Sequence, residues 1–354
     1  MGCELEKTDS ELIDGHCELH PKLDIEFIEE ENYFFKFSAF KERLLALYKE
    51  NPDFIVPHSR GNEIRAFIER GPEDFSISRL KEKMPWGVPV PGDATQVIYV
   101  WFDALINYIS TLGWPDDKEK FESFWGTEKE PNAIQMAGKD NIRQQGAMWQ
   151  AMLMAADLPH SKQIVIHGFI QSGGEKMSKS TGNVIDPLPI VDEYGTDALR
   201  YYLARHVHPF EDSDFTMEKF KEAYNADLVN GLGNVVARVM KLAETYLENP
   251  IDKPNFGEDL RVAHGQHLDR FEINHYLENI WREIQTIDKQ INETEPFKVV
   301  KENPEKGKDI IKTKVEELYL IAHYLEPILP TTSRVIKETI LLNKKPQNLF
   351  PRKD

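Results

Sequence analysis

Three short apolar runs separated by helix-length text constrain the fold of this chain more than any other feature. Val97-Ile98-Tyr99-Val100-Trp101, Ala133-Ile134-Gln135-Met136-Ala137 and Gln163-Ile164-Val165-Ile166-His167-Gly168-Phe169-Ile170 each read as a buried strand. Between them lie helical patterns through Ala104 and Tyr108, and from Gln144 to Ala156. Strands alternating with helices across short loops predict right-handed parallel crossovers, hence an α/β fold with a doubly wound sheet. Ligands of such sheets sit beyond the carboxyl ends of the strands. Trp101, Asp140 and the Gly173–Ser180 loop are expected at or near that edge.

The flanks read differently. Residues 1–33 are polar and end in an acidic run, Glu26 to Glu31, read as a solvated edge. Helical patterns follow around Phe40, Leu44, Leu45 and Tyr48, then around Ile64 and Phe67. Residues 71–95 are rich in Pro and Gly and read as irregular chain. Beyond residue 184 the text is almost all helix. Asp186-Pro187 reads as a cap with proline at the first position, Gly195 as a stop, and Thr196 or Asp197 as the next cap. Leu228, Leu232, Val235 and Val239 mark a further helix. Leu277, Ile280, Ile284, Ile287 and Ile291 form the apolar stripe of a packed bundle helix. A last pair divides near Pro327 and Pro330.

Composition sets only outer bounds. At 40% hydrophobic and 29% charged residues the chain is globular rather than disordered. The first thirty residues hold no apolar core of a signal peptide, and no run approaches a membrane span. The net charge of -17 argues against indiscriminate attraction to nucleic acid, though not against a local basic strip. Two cysteines, Cys3 and Cys17, fit a reducing cytoplasm. A monomer is the default expectation.

The segment Gly173-Gly174-Glu175-Lys176-Met177-Ser178-Lys179-Ser180-Thr181-Gly182-Asn183 follows the third strand. A glycine-flanked loop at a nucleotide edge can bring ammonium groups onto phosphates, and fixed positive charge on transition-state oxygens is often the largest catalytic contribution. On pattern alone the same letters serve equally as a solvated turn.

Lys176-Met177-Ser178-Lys179-Ser180 matches the KMSKS motif of class I aminoacyl-tRNA synthetases. "ENYFFKFS" (31–38), "DFSISR" (74–79), "WGVPVP" (86–91), "YVWFDALINY" (99–108), "AGKDNIR" (137–143) and "NADLVNGLGNVVAR" (225–238) all resemble the methionyl-tRNA synthetase family. The resemblance runs from Cys3 to about Pro330. It implies the second half of a doubly wound, Rossmann-type parallel sheet followed by an α-helical bundle. The implied divisions are a zinc-knuckle remnant (1–33), the rest of the insertion (34–95), the half sheet (96–172), the KMSKS loop with stem-contact helices (173–220), and an anticodon-binding bundle (221–354). The implied activity is ATP-dependent ligation of L-methionine to tRNA(Met) through a methionyl-adenylate, with Mg2+ accompanying ATP.

The family's roles transfer position by position. Lys179, assisted by Lys176, would stabilise the activation step. Ser178, Ser180, Gly138, Asp140, His167 and Gly168 would complete the ATP site, although His167 reads equally as strand-end packing. Trp101, Leu105, Tyr108, Asp140 and Gln145 would form the methionine pocket. Periodicity alone makes 101, 105 and 108 one apolar helix face, and Gln145 stands where many relatives have histidine. Asn234, Arg238 and Phe297 would read the anticodon, with Phe where Trp is more familiar. Lysines 298, 301, 306, 308, 312 and 314 form a diluted basic strip, of a kind that is usually a solvated face.

The family's His-Ile-Gly-His motif does not occur in these 354 residues. Cys3, Cys17 and His20 supply three ligands where structural zinc takes four, and a fourth cysteine would fall immediately before Met1. Met1 is therefore expected to be an internal methionine of a Cys-Met-Gly-Cys knuckle in a longer protein, rather than the start of a chain with two free thiols. The alternatives are the C-terminal subunit of a split synthetase, completed by a separate N-terminal half, and a non-catalytic tRNA-binding protein derived from one. As it stands, the chain is expected to bind zinc poorly and to show no methionine-dependent ATP–pyrophosphate exchange. Appreciable exchange by the purified chain would overturn that expectation.

Overall fold

The computed structural model describes residues 12–13, 16–17, 31–177, 182–254 and 260–353. It divides into two compact units, Met1–Gln135 with Asn141–Val165, and Met136–Asp140 with Ile166–Asp354. The chain crosses between them within the strands Ile134–Gly138 and Gln163–His167.

In the first unit, helices Lys41–Glu50 and His58–Arg70 bury Leu44, Leu47, Tyr48, Ile64 and Ile68, the faces their apolar spacing indicates. Between them runs Ile55–Val56, a strand too short to show in the sequence pattern. It pairs parallel with Gln163–His167, with Ile164 opposite Ile55. The sheet order is Ile55–Val56, Gln163–His167, Ile134–Gly138.

The run Val97 to Trp101 is not part of that sheet. Asp93–Ile98 is the middle strand of an antiparallel sheet, between Ser78–Leu80 and Pro89–Val90. At Tyr99 the chain turns into the helix Val100–Ala104. An apolar run bounded by turn residues is the same text in a parallel or an antiparallel sheet, so the pattern alone misplaced it. The Pro/Gly stretch 71–95 is irregular only in part, since Phe75–Ser76 pairs with Phe34–Phe35, and Ser78–Leu80, Pro89–Val90 and the start of Asp93–Ile98 belong to the antiparallel sheet. Leu12–Ile13 and His16–Cys17 pair antiparallel as well.

The helix expected from Gln144 begins as a wide π-turn, Gln144–Met148, before Trp149–Ala155 becomes α-helical. Two side chains bond its carbonyls: Gln150 Nε2 donates to Gln145 O (3.1 Å), and Tyr48 OH donates to Gly146 O (2.7 Å). Carbonyls bonded from the side release the regular ladder, and such turns recur at functional sites.

In the second unit, Ile170–Ser172 and Glu175–Lys176 form a hairpin, with Ser213–Asp214 parallel to Ile170–Ser172. Gly173 and Gly174 make its turn at φ 65° and 80°, the paired positive values that a two-residue hairpin turn needs and glycine supplies. Lys176 thus ends a strand instead of riding a free loop. The helical remainder buries both predicted stripes, Leu228, Leu232, Val235 and Val239 against Leu277, Ile280, Ile284, Ile287 and Ile291, all at 2% exposure or less. The Asp186 carboxylate accepts from Leu188 N (3.0 Å), as expected for a cap ahead of Pro187–Tyr194.

The next cap differs from expectation. Gly195 occupies the cap position of Thr196–Arg205, and neither Thr196 nor Asp197 caps that helix. The buried Asp197 carboxylate instead accepts from Thr332 N (2.6 Å), in the first turn of Pro330–Leu341. It caps a helix 135 residues away, which no local pattern encodes. Asp197→Ala strands a buried N–H and is expected to destabilise the chain by about 1–3 kcal/mol. Asp197→Asn keeps an acceptor oxygen and should retain most of that stability. Chemical denaturation followed by circular dichroism checks both.

Candidate active site and base-reading helix

The second unit gathers a charged cluster at the carboxyl end of Ile134–Gly138. Gly138 leads into the turn Lys139–Asn141, which presents Lys139 and Asp140. Lys139 Nζ meets Asp212 Oδ2 at 2.7 Å, and Lys176 Nζ meets Asp140 Oδ2 at 3.4 Å. Both ammonium groups also lie over the Phe169 ring, at 4.6 and 4.1 Å from its centroid. One aromatic ring and two carboxylates therefore hold two cations in a small region.

The two pairs are not equivalent. The Lys139–Asp212 side chains are 26% and 30% exposed, whereas those of Lys176 and Asp140 are 53% and 50% exposed. An exposed, longer ion pair contributes about 0–1 kcal/mol and exchanges readily for a stronger anion. The Lys176–Asp140 pair is thus the longer and more solvent-exposed of the two. His167 is exposed at the adjoining strand end. Its Nδ1 lies 2.8 Å from Gly168 O. A carbonyl only accepts, so Nδ1 carries the proton and Nε2 of the neutral ring is left as an acceptor.

Gly168 sits where another stretch of backbone passes close by. A β-carbon there would lie 2.2 Å from the Glu211 carbonyl, so the backbone 211–212 passes directly against it. Asp212 then accepts from Phe169 N (3.0 Å), and Asp214 accepts from Gly174 N (3.0 Å) and meets Lys219 Nζ (3.0 Å). Lys139, Phe169, Asp212 and Asp214 are site residues that motif matching missed. Lys139 lay within the matched segment 137–143, but Glu211-Asp212-Ser213-Asp214 reads as ordinary acidic loop. Ser178, Lys179 and Ser180 lie outside the described residues, as do Cys3 and His20, and the Cys17 side chain is likewise not described.

The first unit holds the second candidate group. Leu105 is buried with Ile109, Phe121, Trp125 and Trp149, so it is a core residue in its helix face. Trp101 and Tyr108 are half-buried. Gln145 Nε2 donates to Tyr108 OH (2.9 Å), and Gln135 Nε2 donates to Gln145 Oε1 (3.1 Å). Behind them Ser161 Oγ donates to Gln135 Oε1 (2.5 Å) and receives Gln150 Nε2 (3.1 Å). The direction of this relay is fixed at its far end. Ser161 N, which can only donate, bonds Gln150 Oε1 (3.1 Å). Gln150 Nε2 must then face Ser161, and each later amide follows, until Tyr108 oxygen is an acceptor and its proton points onward.

The third group lies on one rod. Met217–Ala223, a π-helical Tyr224–Gly233 and Asn234–Tyr246 are continuous. Asn234 is exposed, and one turn later Arg238 donates to the Asp288 carboxylate and to Asn292 Oδ1 (2.7 Å). Phe297 is 38% exposed just after Pro296, which opens the helix Pro296–Glu302. The lysine strip is not a uniform solvated face. Lys314 is buried and bonds Gln290 and Glu317, while Lys298 pairs with Glu295 and Lys308 with Glu248.

Asp214 supplies a pH test. The Gly174 N–H, then Lys219, hold its carboxyl below the ordinary range. A depressed carboxylate contributes above its unfolded value of about 4 and loses that contribution as pH falls through the folded value. The Gly174 amide proton shift is expected to titrate below pH about 4. In Asp214→Asn that titration should be absent by NMR.

A family model described as tRNA synthetases class I (M) matches residues 1–240. The methionine–tRNA ligase of Caldanaerobacter subterraneus subsp. tengcongensis is 37% identical over 352 residues, covering 96% of this chain and 54% of that protein. That of Thermosynechococcus vestitus is 37% identical over 352 residues, covering 94% and 65%. The structure of Mycobacterium tuberculosis methionyl-tRNA synthetase in complex with methionyl-adenylate aligns with a TM-score of 0.78 at 34% identity, covering 87% of this chain and 62% of that one. The chain thus spans about half to two thirds of the length of these relatives. With a family match running unbroken over most of its length, the chain belongs to the class I tRNA synthetases of the M type.

Proposed function

We propose that this chain carries out part of the ATP-dependent joining of L-methionine to tRNA(Met), supplying a phosphate-facing edge, a side-chain pocket and an anticodon-reading helix. The observation that carries the reading is the cation pair over Phe169, one ammonium pinned by Asp212 and one loosely held by Asp140. In the activation step the methionine carboxylate oxygen forms a bond to the α-phosphorus of ATP, and the bond from that phosphorus to pyrophosphate breaks. Negative charge moves onto the departing oxygens. Lys176 swings from Asp140 onto them, with Lys179 from the same motif, while Lys139 holds its place. Asp140, once released, is a carboxylate acceptor for the ammonium of methionine. Ser178, Ser180, Gly138, His167 and Gly168 belong to the same nucleotide edge, with ATP entering as its Mg2+ complex.

Tyr108 offers its onward-pointing hydroxyl proton to the thioether sulfur, with Trp101 giving an apolar wall and Leu105 supporting from the core. Gln145, where histidine is common, does the same polarising work with a single tautomer. Asn234, Arg238 and Phe297 read splayed anticodon bases by edge contacts and stacking. Cys3, Cys17 and His20 offer the sulfur and nitrogen donors that suit a structural zinc.

Two binding measurements test the reading. Calorimetry with Mg2+-ATP should show Lys139→Ala and Lys176→Ala each weakening affinity about tenfold, in line with one charge-assisted contact. Equal affinity in all three proteins would remove the phosphate edge. Filter binding of tRNA with a CAU anticodon should weaken by about 1–3 kcal/mol in Arg238→Ala, with loss of discrimination against an altered anticodon. Unchanged discrimination would remove the base-reading role.

A further inference from the structure

The corner between the helices Leu260–Asp269 and Ile273–Thr294 carries three metal-type donors that the synthetase reading does not use. His267 lies in the last turn of the first helix, Glu272 occupies the position just ahead of the second, and His275 lies in its first turn. One ligand atom from each lies within 4.8 Å of the other two. His267 Nδ1 is 2.8 Å and His275 Nδ1 3.8 Å from the same Glu272 oxygen, and the two rings are 5.8 Å apart.

The backbone is built to hold them together. Phe271 adopts φ 60°, a left-handed value that is uncommon for an aromatic residue. Through it Glu272 is turned back beneath the first helix, where its N–H donates to His267 O (2.8 Å). The three side chains are 31%, 29% and 60% exposed, so an ion has an entry path and room for water.

We infer that His267, Glu272 and His275 form a site for a zinc-class divalent ion that pins this helix corner. Two imidazoles and a carboxylate with an open fourth position suit Zn2+, then Co2+ and Ni2+, rather than the all-oxygen preference of Mg2+ or Ca2+. Ligand atoms around tetrahedral zinc lie about 3.3 Å apart, so small rotations of His267 and His275 bring the cluster into shape. The His267 proton now shared with Glu272 moves to Nε2 as Nδ1 takes the metal. Arg270 is the opposing charge near Glu272.

The test must exclude the cysteine knuckle, so it uses the full chain carrying Cys3→Ser and Cys17→Ser. Calorimetry with ZnCl2 is expected to show one equivalent bound at micromolar affinity. His275→Ala and Glu272→Gln should each weaken it by more than the ~10–100-fold typical of losing an outer partner. Both substitutions fall on partly exposed side chains, and circular dichroism checks that the fold is retained. In the same background Co2+ should shift and broaden the imidazole protons of His267 and His275 by NMR, and thermal unfolding should rise with zinc by mass action. Absence of binding up to millimolar zinc, or affinity unchanged in both variants, overturns the site and leaves an ordinary histidine–glutamate ion pair.

Discussion

At Gly168 the backbone of Glu211 and Asp212 comes so close that no side chain fits between, and the arrangement of the charged edge around Phe169 follows from that contact. It sets Ser213–Asp214 beside Ile170–Ser172, so the aspartates at 212 and 214 address the two ends of one hairpin. Asp212 fixes Phe169 through its N–H and Lys139 through its ammonium. Asp214 fixes the Gly173–Gly174 turn that delivers Lys176. The lysines are therefore placed by carboxylates on a segment that carries no motif. A larger residue at 168 would move all of these groups at once, because backbone cannot yield as the end of a flexible side chain can.

The relay behind Tyr108 rests on a different constraint. Buried amides are costly unless each donor and acceptor is matched, and Gln135, Gln145, Gln150 and Ser161 are all buried. Their matching is possible in one direction only, because a backbone N–H begins it. A histidine at 145 would have to choose a tautomer to continue the chain, whereas an amide carries donor and acceptor together. The glutamine is thus consistent with its surroundings as a set, since Gln135 donates to its amide oxygen and Tyr108 accepts from its amide nitrogen.

Much of the fold was legible. The bundle stripes were readable because one face of a long helix repeats at a fixed interval, and burial obeys that repeat at Leu277, Ile280, Ile284, Ile287 and Ile291. The strands at 134–138 and 163–167 were readable because they are apolar and flanked by turn residues. Ile55–Val56 was not, since two residues carry no period, and Val97 was assigned to the wrong sheet because alternation does not encode a partner. At the candidate site, Lys176, Asp140 and Gln145 were expected from motif resemblance. Asp212, Asp214 and Ser161 were not, and neither was the helix that Asp197 caps, because each acts on a residue distant in the chain. Local text records what a segment does to itself, and these residues act across the fold.

On the proposed reading, Arg238 is a paired side chain that exchanges its partners for a base. Its guanidinium is held by Asp288 and Asn292, about a third exposed on both sides of the ion pair. In that setting the pair contributes about 0–1 kcal/mol, less than the ~1–3 kcal/mol of a good two-point contact to a base edge. Exchange of partners is therefore downhill, and Asn292 can keep one donor in place during it. The ion pair also removes much of the ordering cost, because the fork is already extended before a base arrives. With the chain at -17 overall, long-range attraction would not draw RNA to this helix. Selectivity on the proposed reading must then come from short-range fit of Arg238, Asn234 and Phe297, which is what a pre-extended fork beside an exposed amide and a half-exposed ring provides.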